Sequence, residues 1–208
     1  MRFFSTGMRY LKQQLFGYTV GSSYNILAVG LLGTIGHPVY WLWWTYIYPQ
    51  PNENVLMRII GVLMCMALLL HQHWPVSLKR FLPIYYFLTV AYTLPFFFTY
   101  YLLSSHYSMI WVIAEIAMVF LSMLVLSSII AWVLNLALGL VCAILCAKLF
   151  IPQGIDVDDH LFLYVYFPVF VFTVLSGIGL SHNNAASFAK QTTSKILQAL
   201  DGSVSQDM

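Results

Sequence analysis

Charge is what this chain has least of. Among 208 residues there are nine Lys or Arg and seven Asp or Glu, 8% in all, where an ordinary soluble domain carries about 25%. With 61% hydrophobic residues, the chain has too little polar surface to cover a water-soluble core of this size, which excludes that class. Cysteine is scarce as well. Cys65, Cys142 and Cys146 all lie inside apolar stretches, so neither a disulfide framework nor a metal site is indicated, and the three read as small buried hydrophobes. Catalytic signatures are missing: there is no nucleophile elbow, no His-Glu-x-x-His helix, no phosphate-binding glycine loop and no pair of carboxylates in one span. His71 and His73 stand two residues apart, a spacing that puts them on different helical faces. The expectation is no catalytic residue, no metal, no cofactor and no nucleic acid partner. An Ala-x-Ala cleavage site is also lacking ahead of the further spans, so the first apolar run is not read as a removable signal peptide.

What is present is length without charge. Six apolar stretches run roughly over residues 26–46, 55–70, 83–103, 108–126, 129–150 and 160–180, and about 20 such residues as a helix cross a bilayer. The predicted fold is all-α, a polytopic membrane protein with six transmembrane helices in one bundle. Residues 1–23 form an interfacial or cytoplasmic N-terminal segment, 24–181 the six-helix domain, and 182–208 a cytoplasmic helix and tail. Arg2, Arg9, Lys12, Lys79, Arg80, Lys190 and Lys195 fall on one side of this topology. Only Arg58 and Lys148 fall on the other, with Glu53, Asp156, Asp158 and Asp159. The positive-inside rule then puts both termini in the cytoplasm. Trp41, Trp43, Trp44, Tyr46 and Tyr48 read as an interfacial aromatic belt. No internal repeat of the kind that builds many secondary transporters is visible.

Polar groups inside the spans are few, and each is costly enough to need a reason. Glu115 is the one carboxylate clearly within a span, with two readings: a hydrogen bond between helices, or a functional proton site. Arg58, at the head of the second span, is expected to snorkel to the headgroups rather than to pair with Glu53. His37-Pro38 interrupts the first span after Gly30, Gly33 and Gly36, a small-residue face on which another helix can pack closely. A packing and kinking role is favoured there over ligation. Leu94-Pro95-Phe96-Phe97-Phe98 and Phe167-Pro168-Val169-Phe170-Val171-Phe172-Thr173 place further prolines among aromatics. Together these segments suit the lining of an apolar cavity with a few polar groups at one end. The tight, proline-rich Tyr48-Pro49-Gln50-Pro51-Asn52-Glu53-Asn54 makes a rigid corner between the first two spans.

The order of these landmarks resembles the membrane sensor domain of the quorum-sensing histidine kinases that detect α-hydroxyketone autoinducers, the CqsS and LqsS type. The matching segments are Leu32-Gly33 through Trp44, the Pro49-Gln50 to Asn54 corner with Arg58, Leu82-Pro83-Ile84-Tyr85-Tyr86, Leu94-Pro95-Phe96-Phe97-Phe98, Ile110-Trp111, and Phe167 to Thr173 with Gly177. The resemblance implies a receptor that holds a small apolar signal molecule, an acyl chain with a hydroxyketone head, among its helices. It assigns the pocket's fourth-span tryptophan to Trp111 and its sixth-span aromatic to Phe172. Ala114 stands where the family has a serine, and Leu180 where it has a cysteine that reads the signal's tail. Phe97, Glu115 and His37 complete the candidate ligand-binding set.

By the same resemblance a kinase would continue past the last span to a phosphoacceptor His-Glu, a position that falls near Gln198. The chain as written is therefore expected to be a sensor module of a two-component system without the kinase region. It would signal to a cytoplasmic kinase or response partner, with a homodimer formed through the last helix. The alternative is a small transporter or channel using Glu115.

Overall fold

A computed structural model of the chain describes residues 23–50, 53–126 and 128–151, with Phe167, Val171 and Leu175 beyond them. Chain contacts divide the protein into two compact units, Met1–Val169 and Phe170–Met208. Of the second unit only Val171 and Leu175 are described, both helical and exposed. The predicted sixth span and the two terminal segments lie outside the described residues. The same holds for the Phe172 and Leu180 positions.

Every regular element among the described residues is helical, as the bilayer requires of a chain that must satisfy its own backbone. Helix α1, Ser23–Leu42, continues into a π-turn at Trp43–Ile47. Helix α2, Val55–Leu69, starts at Asn54, whose side-chain oxygen accepts from Leu56 N–H and Met57 N–H, a normal N-cap. It ends in a 3-10 turn at Leu70–His73. A single turn, α3 (Val76–Lys79), leads to α4, Leu82–Ala91, with Pro83 in its first turn, where proline's missing N–H is not needed. A second π-turn, Tyr92–Phe96, contains Pro95 and joins α4 to α5, Phe97–Ser104. Helices α6, Met109–Val125, and α7, Ile129–Phe150, follow. Between α6 and α7 the backbone at Leu126 and Ser128 is extended, and the Ser128 hydroxyl accepts from Ala131 N–H to start α7. The predicted stretches 108–126 and 129–150 are thus separate helices.

Four of these rods have the length and apolar composition to cross a membrane: Tyr24–Ile47, Val55–His73, Leu82–Ser104 and Ile129–Phe150; Met109–Val125 is a shorter apolar helix. The protein is an all-helical membrane protein. Within the first unit the third rod is the axis, because 72% of its apolar window is buried against 22–28% for the other three long rods. Leu, Ile and Val side chains are exposed on the outer helices, the arrangement expected where the solvent is hydrocarbon.

Close approaches are made at glycines. A methyl at Gly30 would lie 2.8 Å from Leu69 Cδ2 and 3.2 Å from the Cys65 carbonyl, and one at Gly33 would overlap the Cys65 sulfur. Gly61 answers from α2, with the His37 ring against it. Gly36 departs from the predicted small-residue face: nothing lies within 4 Å of where its Cβ would be, since each step of three residues turns about 60° and Gly36 has rotated about 120° from Gly30. At the axis, Gly139 of α7 sits directly on the Pro95 ring and the Phe96 backbone. Asn135 Nδ2 donates to the Phe87 carbonyl at 2.8 Å, and Trp132 Nε1 to the Ser122 hydroxyl at 2.9 Å. Asn25 and Tyr86 both donate to the Val125 carbonyl, at 3.3 and 2.8 Å, and so cap the last turn of α6.

Candidate functional site

The end of the bundle that carries the Tyr48–Asn54 corner and the Ser105–Ser108 turn gathers most of the candidate residues. Trp43–Ile47 ends α1 in a widened turn, in which Tyr48 N–H reaches back to the Trp43 carbonyl at 2.9 Å and Gln50 N–H to the Trp44 carbonyl at 3.1 Å. Such π-turns re-aim the residues that follow them. Gln50 is thereby brought against α6, where its side-chain oxygen accepts from Trp111 Nε1 at 3.4 Å.

Trp111 points inward and is 2% exposed. Its indole stacks on Tyr101, with centroids 4.8 Å apart and planes 15° from parallel, and meets Trp44 at 5.6 Å and Phe98 edge-on at 6.3 Å. Phe97 and Tyr101, one turn apart on α5, present their rings to the same neighbourhood: Phe97 meets Tyr101 at 4.7 Å and His37 edge-on at 4.9 Å. The Tyr101 hydroxyl closes the corner, accepting from Asn54 N–H at 2.9 Å and lying 3.4 Å from the Asn54 carbonyl as donor.

Arg58 corrects the expectation drawn for it. It is 3% exposed and turned inward rather than snorkelled. Its Nε and Nη2 bind the two oxygens of Glu53 in a fork, the second at 3.1 Å, while Nη1 lies 3.5 Å from the His37 carbonyl. The guanidinium carbon stands 5.0 Å from the Phe97 centroid and 5.7 Å from that of Tyr101. Two flat, electron-rich faces and a bidentate carboxylate hold a guanidinium better than the headgroup region would.

Of the candidate residues, the structure brings together His37, Phe97 and Trp111, with Ala114 half-buried against the same aromatic cluster. Glu115, one turn below Trp111, is 1% exposed and accepts from the Thr99 hydroxyl at 3.0 Å. Residue-by-residue reading missed Tyr101, Gln50, Trp44 and the Glu53–Arg58 pair as site members. The Phe97–Tyr101 spacing on one helix was the available signal for the first.

Beside this cluster opens a cleft of about 310 Å³ lined by Tyr48, Pro49, Gln50, Ser108 and Ile110. Just before the lining residue Ser108 the chain makes a strained turn: His106 and Tyr107 have φ of 50° and 58°, a left-handed conformation that residues other than glycine rarely adopt. Paired bonds hold it, from His106 N–H to the Leu103 carbonyl at 3.3 Å and from Tyr107 N–H to Leu102 at 3.0 Å, the double closure of a Schellman-type helix end. Chemically the site can stack and enclose an apolar or flat group, and it offers hydrogen-bonding groups at one end.

No family model and no solved structure matches the chain. Among curated proteins it is similar to the "CAI-1 autoinducer sensor kinase/phosphatase CqsS" of Vibrio cholerae, with 30% identity over 173 residues, 80% of this chain and 25% of that protein. The chain spans about a quarter of the length of this relative. Over most of its length, then, this helical membrane chain is similar in sequence to part of a CqsS-type sensor kinase.

Proposed function

We propose that this sensor domain binds a small apolar signal of the α-hydroxyketone type among its helices and passes its occupancy to a cytoplasmic histidine kinase output. The single observation that carries the proposal is the placement of Trp111: buried, stacked on Tyr101, and held by one long hydrogen bond to Gln50 at the edge of an open cleft. An amphiphile entering by that cleft meets an indole whose polar atom is weakly committed and whose faces are aromatic. Support also comes from the CqsS relative, an autoinducer sensor by its printed name. A ligand shifts a two-state bundle only as far as its affinities for the two arrangements differ, and the interrupted axial rod, Leu82–Ser104, supplies a jointed element through which such a shift can travel. Output through the last helix, as a homodimer in the cytoplasmic membrane, completes the proposal. Glu115 is engaged by Thr99, which suits a tie between α5 and α6 and lends no separate support to a carrier.

The test is direct binding of α-hydroxyketones of graded chain length to the purified protein in detergent. Trp111→Ala is expected to weaken binding by about thirty-fold, the effect of truncating a central aromatic anchor. Unchanged binding in that variant would remove the pocket from this place.

A further inference from the structure

Arg58 has more hydrogen-bonding capacity than the described residues use. A guanidinium carries five N–H donors; two go to Glu53 and one lies 3.5 Å from the His37 carbonyl. The two that remain are buried with the rest of the side chain among Phe97, Tyr101 and their neighbours. Glu53 likewise accepts one bond from Arg58 at each oxygen, and a carboxylate has roughly twice that capacity. A buried ion pair is often no more stabilising than apolar side chains of the same volume, so fold stability alone does not account for this one. What the pair presents is chemically specific: a group that can only donate, fixed beside a group that can only accept, with no net charge between them.

We infer that Glu53 and Arg58 form the head-group subsite for an uncharged amphiphile bearing a carbonyl and a hydroxyl on adjacent carbons. The Arg58 guanidinium donates to the carbonyl oxygen, and the ligand's hydroxyl donates to the Glu53 carboxylate. This rests on the receptor reading above and specifies which side chains recognise the polar end. The pair's neutrality suits an uncharged head group. A fatty-acid carboxylate would face Glu53 and an amine would face Arg58, each with an uncompensated charge in a site of low polarity. Tyr101 links the subsite to Trp111, since its ring lies against both the guanidinium and the indole. The acyl tail of a ligand held at Arg58 therefore extends past the tryptophan.

The experiment uses four probes of equal chain length on the whole chain in detergent: a decane-based α-hydroxyketone, the decanone, the decanol and decanoate. A hydrogen bond to a charged partner distinguishes two ligands by about ten-fold or more. The unmodified protein is expected to prefer the hydroxyketone to both the ketone and the alcohol by about that factor and to bind decanoate no better than the alcohol. In Glu53→Gln the preference over the ketone should fall below about three-fold, and in Arg58→Gln the preference over the alcohol should do the same. Should Arg58→Gln not fold, Glu53→Gln decides alone, being nearly isosteric at the corner. A full hydroxyketone preference in Glu53→Gln, or preferential binding of decanoate, overturns the assignment. If no probe binds the unmodified protein, the receptor reading itself fails; if all bind and only Trp111→Ala weakens them, the pocket stands and the head-group subsite falls.

Discussion

Tyr101 does more than any other single residue at the corner end of the bundle. Its hydroxyl is the acceptor for Asn54 N–H at 2.9 Å and its ring carries the Trp111 stack. Tyr101→Phe keeps the ring and removes the acceptor for a backbone N–H at the exposed head of α2, a hydrogen bond worth about 0.5–1.5 kcal/mol. The expected result is a lower unfolding free energy in detergent by that amount, with the hairpin corner loosened. No change in stability would mean that the Asn54 amide finds another acceptor. Whereas Trp111 was named only through the family resemblance, single-residue reading singled out His37, because a polar side chain inside an apolar run is conspicuous against its background. It failed for Arg58, whose place at a span end suggests headgroups. What overruled that was the pair of rings on α5, remote in sequence, that face the guanidinium once the helices pack.

At the scale of elements, glycine decides which helices touch. Gly139 packs on the π-turn at Pro95, where an added methyl would stand 2.6 Å from the Pro95 Cβ and 2.7 Å from the Phe96 nitrogen. Neither atom belongs to a flexible side-chain tip, so Gly139→Ala forces the two elements apart. Overpacking of this kind costs about 1–3 kcal/mol. Gly36→Ala, by contrast, meets nothing within 4 Å and adds about 1 kcal/mol of helix propensity. Thermal unfolding of the two variants in detergent should therefore move in opposite directions, and parallel shifts would contradict the packing. The spans themselves were legible: α6 and α7 begin and end within a residue or two of the apolar stretches. The two π-turns were not, since proline marks a disturbance in a helix without saying how the backbone absorbs it. In the second case the Thr89 and Thr93 hydroxyls donate to carbonyls one turn back, at 2.8 Å each, Thr89 just before the widened turn and Thr93 within it.

Over the whole molecule, antiparallel connections place the 48–54 corner and the Ser105–Ser108 turn at one end, where Gln50 meets Trp111 and Asn54 meets Tyr101. The 70–81 connection and the α6–α7 junction lie at the other, where Asn25 and Tyr86 meet Val125. Lys79 and Arg80 belong to the second end, which the positive-inside rule assigns to the cytoplasm. In a background with Cys65, Cys142 and Cys146 replaced by Ser, an impermeant thiol reagent applied from outside should label Pro49→Cys and His106→Cys. Val76→Cys, at a residue 86% exposed, should react only after permeabilisation. The reverse pattern would invert the protein in the membrane and move the proposed cleft to the cytoplasmic side.

From its amino acids alone this chain determined its solvent, its secondary structure and the stretches that become membrane rods, because hydrocarbon tolerates little but helix and charge is too scarce to permit anything else. The likeness to autoinducer sensors was likewise carried by short local motifs. Which side chains meet was decided only by the tertiary structure. Contacts such as those of Arg58 with Phe97, Trp111 with Gln50 and Gly139 with Pro95 depend on the rotation and crossing of rods whose lipid-facing and packed surfaces are almost equally apolar, so hydrophobic patterning cannot distinguish one face from another.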